Sequence, residues 1–175
     1  MPDDNQDRLR AAIAKRQTTE QARDAAAQQR ALDEQRQRER LQQLQAQGQQ
    51  LAILINNQAI DQSQALRSAG GGADHFKFSA DDPGQSSVAA WRVRVVIDNN
   101  KPRGPFGQPE LRLSLERSGA LIATWPGTRV QVMGPGYRPE EIILVQDDPA
   151  QPLVSQIENL LITLYERVVK EDAGA

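Results

Sequence analysis

Few residues in this sequence have the type and spacing that site chemistry requires. The chain has no cysteine and a single histidine, His75, which stands beside Phe76. A metal site or a general base needs several His, Cys or carboxylate side chains that converge, and no regular carboxylate spacing surrounds His75. We therefore expect His75 to be a strand-end or surface residue, and we predict no catalytic residue and no metal ligand.

Glycine-rich stretches and acidic pairs also fail to match known site patterns. The segments AGGGAD, RGPFGQP and GPGYRP lack the GxxxxGK[ST] pattern of a phosphate-binding loop, and the prolines of the last two remove N–H donors. No serine lies in a G-x-S-x-G elbow. The pairs Asp81-Asp82, Glu140-Glu141 and Asp147-Asp148 each adjoin a proline, as solvated turns and helix caps do. We predict a protein that is not an enzyme and binds no cofactor.

Arginines show the most regular pattern among the charged residues. In WRVRVV the alternation places Trp91 and Val93 on one face of a strand, so Arg92 and Arg94 point outward. The same reasoning gives a predicted outward-facing, partner-binding set, which consists of Arg92, Arg94, Arg112 and Arg129.

Three interpretations of these arginines stay open. They could simply keep an exposed sheet face soluble, they could contact a protein partner, or they could bind nucleic-acid phosphates while Tyr137 or Trp125 stacks on a base. The formal net charge of −2 provides no general attraction to nucleic acid or to anionic membranes. Among binding functions we favour a protein partner and keep nucleic acid as the alternative.

The elements that would carry these residues divide by composition near residue 69. Residues 1–69 contain no glycine before Gly48 and only Pro2 as proline, whereas turn residues recur throughout residues 70–175. High helix propensity from Asp4 to Gln47 predicts a long helical arm. The predicted organisation is a helical arm over 1–69 and a compact domain over 70–175.

A heptad register can be drawn along the arm. One core position holds Ile13, Glu20, Ala27, Glu34, Leu41, Gly48 and Ile55, and the other holds Leu9, Arg16, Arg23, Arg30, Gln37, Leu44 and Leu51. The ends are apolar and the middle is polar, so the coiled-coil pattern is incomplete. We expect self-association, with a dimer favoured, through Leu41, Leu44, Leu51 and Ile55. Docking on another protein and a free tail remain open, and the in-register leucines favour helix over strand for the segment LAILI.

The second half predicts an α+β fold. Alternating apolar residues indicate an antiparallel sheet of about four to five strands, drawn from six candidate segments: His75–Ser79, the segment around Trp91, the two arms of a hairpin turning at Ser118-Gly119, TRVQVM with Val130 and Val132, and Glu141–Gln146. Residues 150–171 then show an apolar stripe at helical spacing, from Leu153 to Val168. A sheet covered by this helix is a two-layer domain.

These features together predict a non-enzymatic oligomerisation or adaptor protein. The arm would bring copies together, and the α+β domain would contact a protein partner. The start MPDDNQDR is too polar for a secretory leader, and no apolar run approaches the roughly 18–20 residues of a membrane helix. We therefore expect a cytoplasmic protein with no membrane contact.

Overall fold

The computed structural model describes residues 3–97, 109–125 and 140–173. Helix α1 precedes a five-stranded sheet, and helix α2 follows it. The strands lie in the order β1-β2-β3-β4-β5, and each pairs antiparallel with the next. The bounds are α1 Asp3–Ser68, β1 His75–Asp81, β2 Ser87–Val96, β3 Glu110–Glu116, β4 Leu121–Trp125, β5 Glu140–Leu144 and α2 Leu153–Ala173. The predicted α+β fold with an antiparallel sheet is confirmed.

One face of the sheet is apolar and buried. In the strand register Val93 lies opposite Leu111. In a second row Trp91 lies opposite Leu113, and Leu113 lies opposite Ala123, so apolar rows run across the strands. All five side chains are buried. The burial follows from the period-two pattern of the strands, which places every second side chain on this face.

Two helical segments cover this apolar face. In α2 the inward stripe includes Ile157, Leu161 and Leu164, which are completely buried. The sequence predicted this helix as the cover. The C-terminal part of α1 is a second cover, because Leu51 and Ile55 belong to the same core cluster as the sheet residues. The segment LAILI is helical, as its heptad spacing indicated.

Close contacts hold α1 against the sheet. A Cβ at Gly48 would lie 3.3 Å from the Cβ of Ala89, so the absence of a side chain lets the helix approach the strand closely. Farther along α1, the buried Ser63 hydroxyl donates to the Ala59 carbonyl and accepts the Phe76 N–H at 2.9 Å. Ser63 thus joins α1 to β1 and satisfies a buried backbone donor.

Helix α2 carries the residue that closes the end of β5. The buried Gln156 side chain accepts the Val145 N–H at 3.1 Å and donates to the Val145 carbonyl at 2.7 Å. It also donates to the Gln151 carbonyl. This amide takes the place of a neighbouring strand beside Val145, where the edge of the sheet would otherwise leave both backbone groups unpaired.

Contacts divide the chain between Gln42 and Gln43 into a helical unit, residues 1–42, and a compact unit, residues 43–175. The change in composition at residue 69 therefore does not coincide with the change in contacts. Residues 43–68 belong with the sheet because their apolar face is part of its core. Among the described helices, none is apolar over a stretch long enough to cross a membrane.

A tyrosine joins α2 to the segment before β1. The Tyr165 hydroxyl donates to an Asp74 carboxylate oxygen at 3.0 Å. Burial raises the pKa of Tyr165 above 10.0, and the hydrogen bond and negative charge of Asp74 raise it further.

The expected strand at Val130 and Val132 lies outside the described residues.

Replacing Ile55 with alanine should strongly destabilise the compact unit. Ile55 is completely buried, so Ile55→Ala removes core contacts and should lower the free energy of unfolding by about 2–5 kcal/mol. Ile53, on the same helix, is 63% exposed and provides the matched control; Ile53→Ala should cost no more than about 0.5 kcal/mol. Urea unfolding followed by fluorescence of Trp91 and Trp125 measures both values. Equal losses in the two variants would contradict the placement of α1 on the sheet.

Tyr165 should ionise later than an ordinary tyrosine. Because its pKa is raised on folding, the contact with Asp74 contributes stability below about pH 10 and loses it as the pH rises through the folded pKa. The tyrosinate absorbance of the full chain minus that of Tyr165→Phe should give a midpoint above 10.0. In Asp74→Asn that midpoint should move down, because the negative charge is gone. A midpoint of 10.0 in this difference curve would contradict the contact between Tyr165 and Asp74.

Candidate functional site

The outward face of β2 and β3 brings three of the predicted arginines together. The strand register places Arg92 directly opposite Arg112, and Arg94 opposite Glu110. These side chains alternate with the buried residues of the same strands, as the sequence pattern predicted. We call Arg92, Arg94, Arg112, Asp81 and Glu110 the arginine cluster.

Two carboxylates hold the three guanidinium groups. Asp81 lies 2.8 Å from Arg92 Nη2 and 3.1 Å from Arg112 Nε, so one side chain bridges two strands. Glu110 lies 2.9 Å from Arg94 Nε and 3.5 Å from Arg92 Nε. Arg112 also donates to the Asp82 carbonyl at 2.7 Å. Every guanidinium of the cluster therefore has an acidic neighbour.

This arrangement limits what the arginine cluster can bind. Three positive charges face two negative ones, and the side chains of Asp81 and Glu110 are only 16% and 21% exposed. A phosphate would have to compete with carboxylates that already accept hydrogen bonds from Arg92 Nη2 and Arg94 Nε. The geometry fits a cross-strand ion-pair network that stabilises an open sheet face.

Asp81 is the member of this cluster that the sequence prediction missed. The sequence pattern predicts a first strand that ends at Ser79 and a turn at Asp81-Asp82 before Pro83. The strand continues to Asp81, opposite Ala90 and next to Arg92 on the sheet. The alternation Lys77, Ser79, Asp81 was the signal that could have found it.

The other predicted members of this surface lie elsewhere. Arg129 and Tyr137 fall outside the described residues. Trp125 is not on the arginine face, because it is buried on the helix-covered side, where the Arg167 guanidinium lies 4.3 Å from its ring centroid. Stacking of a base on Trp125 beside the arginines is therefore incompatible with its position.

The predicted oligomerisation residues divide into two groups. Leu51 and Ile55 are part of the core beneath the sheet, and Leu44 is 9% exposed near Gly119. Their apolar side chains are used within the chain because the sheet needs a cover. Leu41 is 43% exposed. Of the four, only Leu41 presents its side chain at the surface.

The N-terminal part of α1 is a second candidate surface. Every side chain from residue 6 to residue 43 is exposed, including the apolar Leu9, Ile13 and Leu32. Short-range pairs run along it, such as Arg16 Nε to Glu20 at 2.9 Å and Gln35 Nε2 to Glu39 at 2.8 Å. Such i,i+4 pairs each stabilise an exposed helix by about 0.2–0.5 kcal/mol. They support the helix without providing an apolar face.

His75 begins β1, and its Nδ1 lies 2.9 Å from the Ala73 carbonyl oxygen. In the part of the chain that the structure describes, no three His, Cys, Asp or Glu side chains converge as a metal site requires. The arginine cluster and the N-terminal part of α1 are the two surfaces on which a functional proposal can be based.

Neutralising Asp81 should weaken the sheet more than neutralising an exposed carboxylate of α1. Asp81→Asn removes the charge that bridges Arg92 and Arg112, and we expect a loss of about 1–2 kcal/mol in unfolding free energy. Glu34→Gln breaks an exposed pair with Arg38 at 3.7 Å and should change stability by less than about 0.5 kcal/mol. Urea unfolding at low and high salt measures both. If the unfolding free energy of Asp81→Asn equals that of the parent protein at both salt concentrations, Asp81 has no stabilising role.

No protein-family model matches this chain, and neither the curated proteins nor the solved structures include one that is significantly similar to it.

Proposed function

We propose that the protein is a non-enzymatic adaptor that self-associates through residues 3–42 of α1. The observation that carries the proposal is the exposure of every side chain from residue 6 to residue 42, all of which lie in α1. An isolated helix is only marginally stable in water, and most helical stability comes from burying one face. A second copy of the same helix would provide that face.

Self-association of the arm gives the compact unit valence. Two copies held on one assembly engage a repeated partner more strongly than either copy alone, because the second contact forms at a high effective concentration. The weak apolar pattern of the arm fits a moderate association. The adaptor role thus follows from the arm, while the compact unit provides the contact.

The partner contact of the compact unit is proposed for the open face of the sheet. That face combines the arginine cluster with the apolar side chain of Ile143, which lies opposite Ile122 in the strand register and is 68% exposed. Arginine is enriched at protein interfaces, and exposed apolar side chains supply the area that such contacts bury. The nucleic-acid alternative has less support, because Asp81 and Glu110 already pair with the arginines.

Light scattering on the full chain tests the self-association. At micromolar concentration we expect twice the 19.4 kDa chain mass. The double variant Leu9→Asp/Leu41→Asp should be monomeric at the same concentration, because it places charges at the apolar ends of the heptad seam. Its fluorescence unfolding curve should stay unchanged, because both residues lie in the helical unit.

The matched control is Leu32→Asp. Leu32 is 50% exposed on the same helix, but it lies off the heptad seam. This variant should keep the parent mass. A monomeric full-length protein, or equal effects of the seam and off-seam changes, would reject self-association through the arm.

A further inference from the structure

We infer that two copies of residues 9–41 pair antiparallel, with Leu9 of one copy beside Leu41 of the other. The inference rests on the proposed function and adds the orientation and register of its interface. Residues 9–41 lie within the helical unit, and all of their side chains are exposed. The chemistry of the seam selects one arrangement of two such helices.

Charges at the core positions disfavour a parallel pair. In a parallel, in-register pair each core residue faces its own copy. Glu20 and Glu34 would then each face a glutamate, and Arg16, Arg23 and Arg30 would each face an arginine. Five of the core layers between Leu9 and Leu41 would place like charges together, which weakens association.

An antiparallel pair replaces four of those five like-charge layers with contacts between opposite charges. One row of core positions then faces the other row of the second copy. In one register Glu20 faces Arg30, Glu34 faces Arg16 and Leu41 faces Leu9, each contact occurring twice by symmetry. The remaining layers join Ile13 with Gln37 and Ala27 with Arg23.

The neighbouring antiparallel registers are poorer. A shift of one heptad in one direction places Leu9 against Glu34 and Ile13 against Arg30. A shift in the other direction requires Leu44, which is buried in the compact unit. Only the intermediate register matches all four ion pairs and both leucine contacts.

The observed intrahelical bonds are compatible with this pairing. Glu20 accepts a hydrogen bond from Arg16 at 2.9 Å, and Glu34 lies 3.7 Å from Arg38. In the antiparallel pair each glutamate would lie between an arginine of its own helix and one of the second copy. The carboxylates are accessible for this, since the side chains of Glu20 and Glu34 are 54% and 68% exposed.

Cysteine crosslinking of the full chain distinguishes the arrangements, because the natural sequence has no cysteine. Leu9→Cys and Leu41→Cys are purified separately, one with a mass tag, and oxidised alone and as a re-equilibrated mixture. The antiparallel pair predicts a disulfide-linked heterodimer in the mixture and no covalent dimer in either protein alone. At 1.5 Å of rise per residue, Leu9 and its own copy are about 48 Å apart, whereas a disulfide needs Cα atoms within about 7 Å.

Controls and contrary outcomes are separable. Leu32→Cys, exposed but off the seam, measures crosslinking by random collision. Homodimers of the Leu9→Cys and Leu41→Cys proteins alone, or a dimer by light scattering that gives no crosslink above that background, would overturn the antiparallel register and leave self-association intact. A monomeric mass of both uncrosslinked variants and the parent chain would overturn the proposed function itself.

Charge reversal provides a second readout. Glu20→Arg/Glu34→Arg places like charges in four layers of the antiparallel pair and should raise its dissociation constant at least tenfold. Adding Arg16→Glu and Arg30→Glu restores each opposite pair and should return the dissociation constant to near the parent value. An unchanged dissociation constant in the first variant contradicts the inference.

Discussion

The burial of one apolar sheet face by two helical segments is the constraint on which the compact unit depends. A five-stranded sheet with Trp91, Val93 and Leu111 on one face cannot leave that face in water. Helix α2 covers it together with the part of α1 that carries Leu51 and Ile55. The apolar side chains of α1 that cover the sheet, such as Leu51 and Ile55, are therefore part of the core. The side chains of residues 6–42 are exposed and do not contribute to it.

The opposite face of the sheet stays soluble by a different device. Asp81 and Glu110 tie three arginines across β1, β2 and β3, so the charges of neighbouring strands compensate one another. On the same face, Ile143 of β5 is exposed. The result is a sheet face whose charged part is a network of cross-strand ion pairs and whose apolar part is accessible.

The helical unit is stabilised differently from the compact unit, because its side chains from residue 6 to residue 42 are all exposed. Local pairs such as Arg16 with Glu20 stabilise helix turn by turn, but each contributes little. Glutamate and arginine alternate at the core positions of the heptad. In two antiparallel copies, the glutamates of one helix would therefore face arginines of the other. An exposed helix with such a seam is suited to pairing with a second copy, which connects the polar composition of the arm to the proposed adaptor role.

The sequence by itself determined the element types and their faces. Helix propensity and the period-two and helical patterns predicted the long helix, the antiparallel sheet, α2 and the inward residues of β2 and β3, because these depend on local geometry. The outward positions of Arg92, Arg94 and Arg112 were predictable for the same reason. Only the tertiary structure decided where Leu51 and Ile55 pack, since one apolar stripe fits a second helix or a sheet equally well. It also decided that Asp81 pairs with both Arg92 and Arg112, because cross-strand partners depend on register, which the alternation along a single strand does not encode.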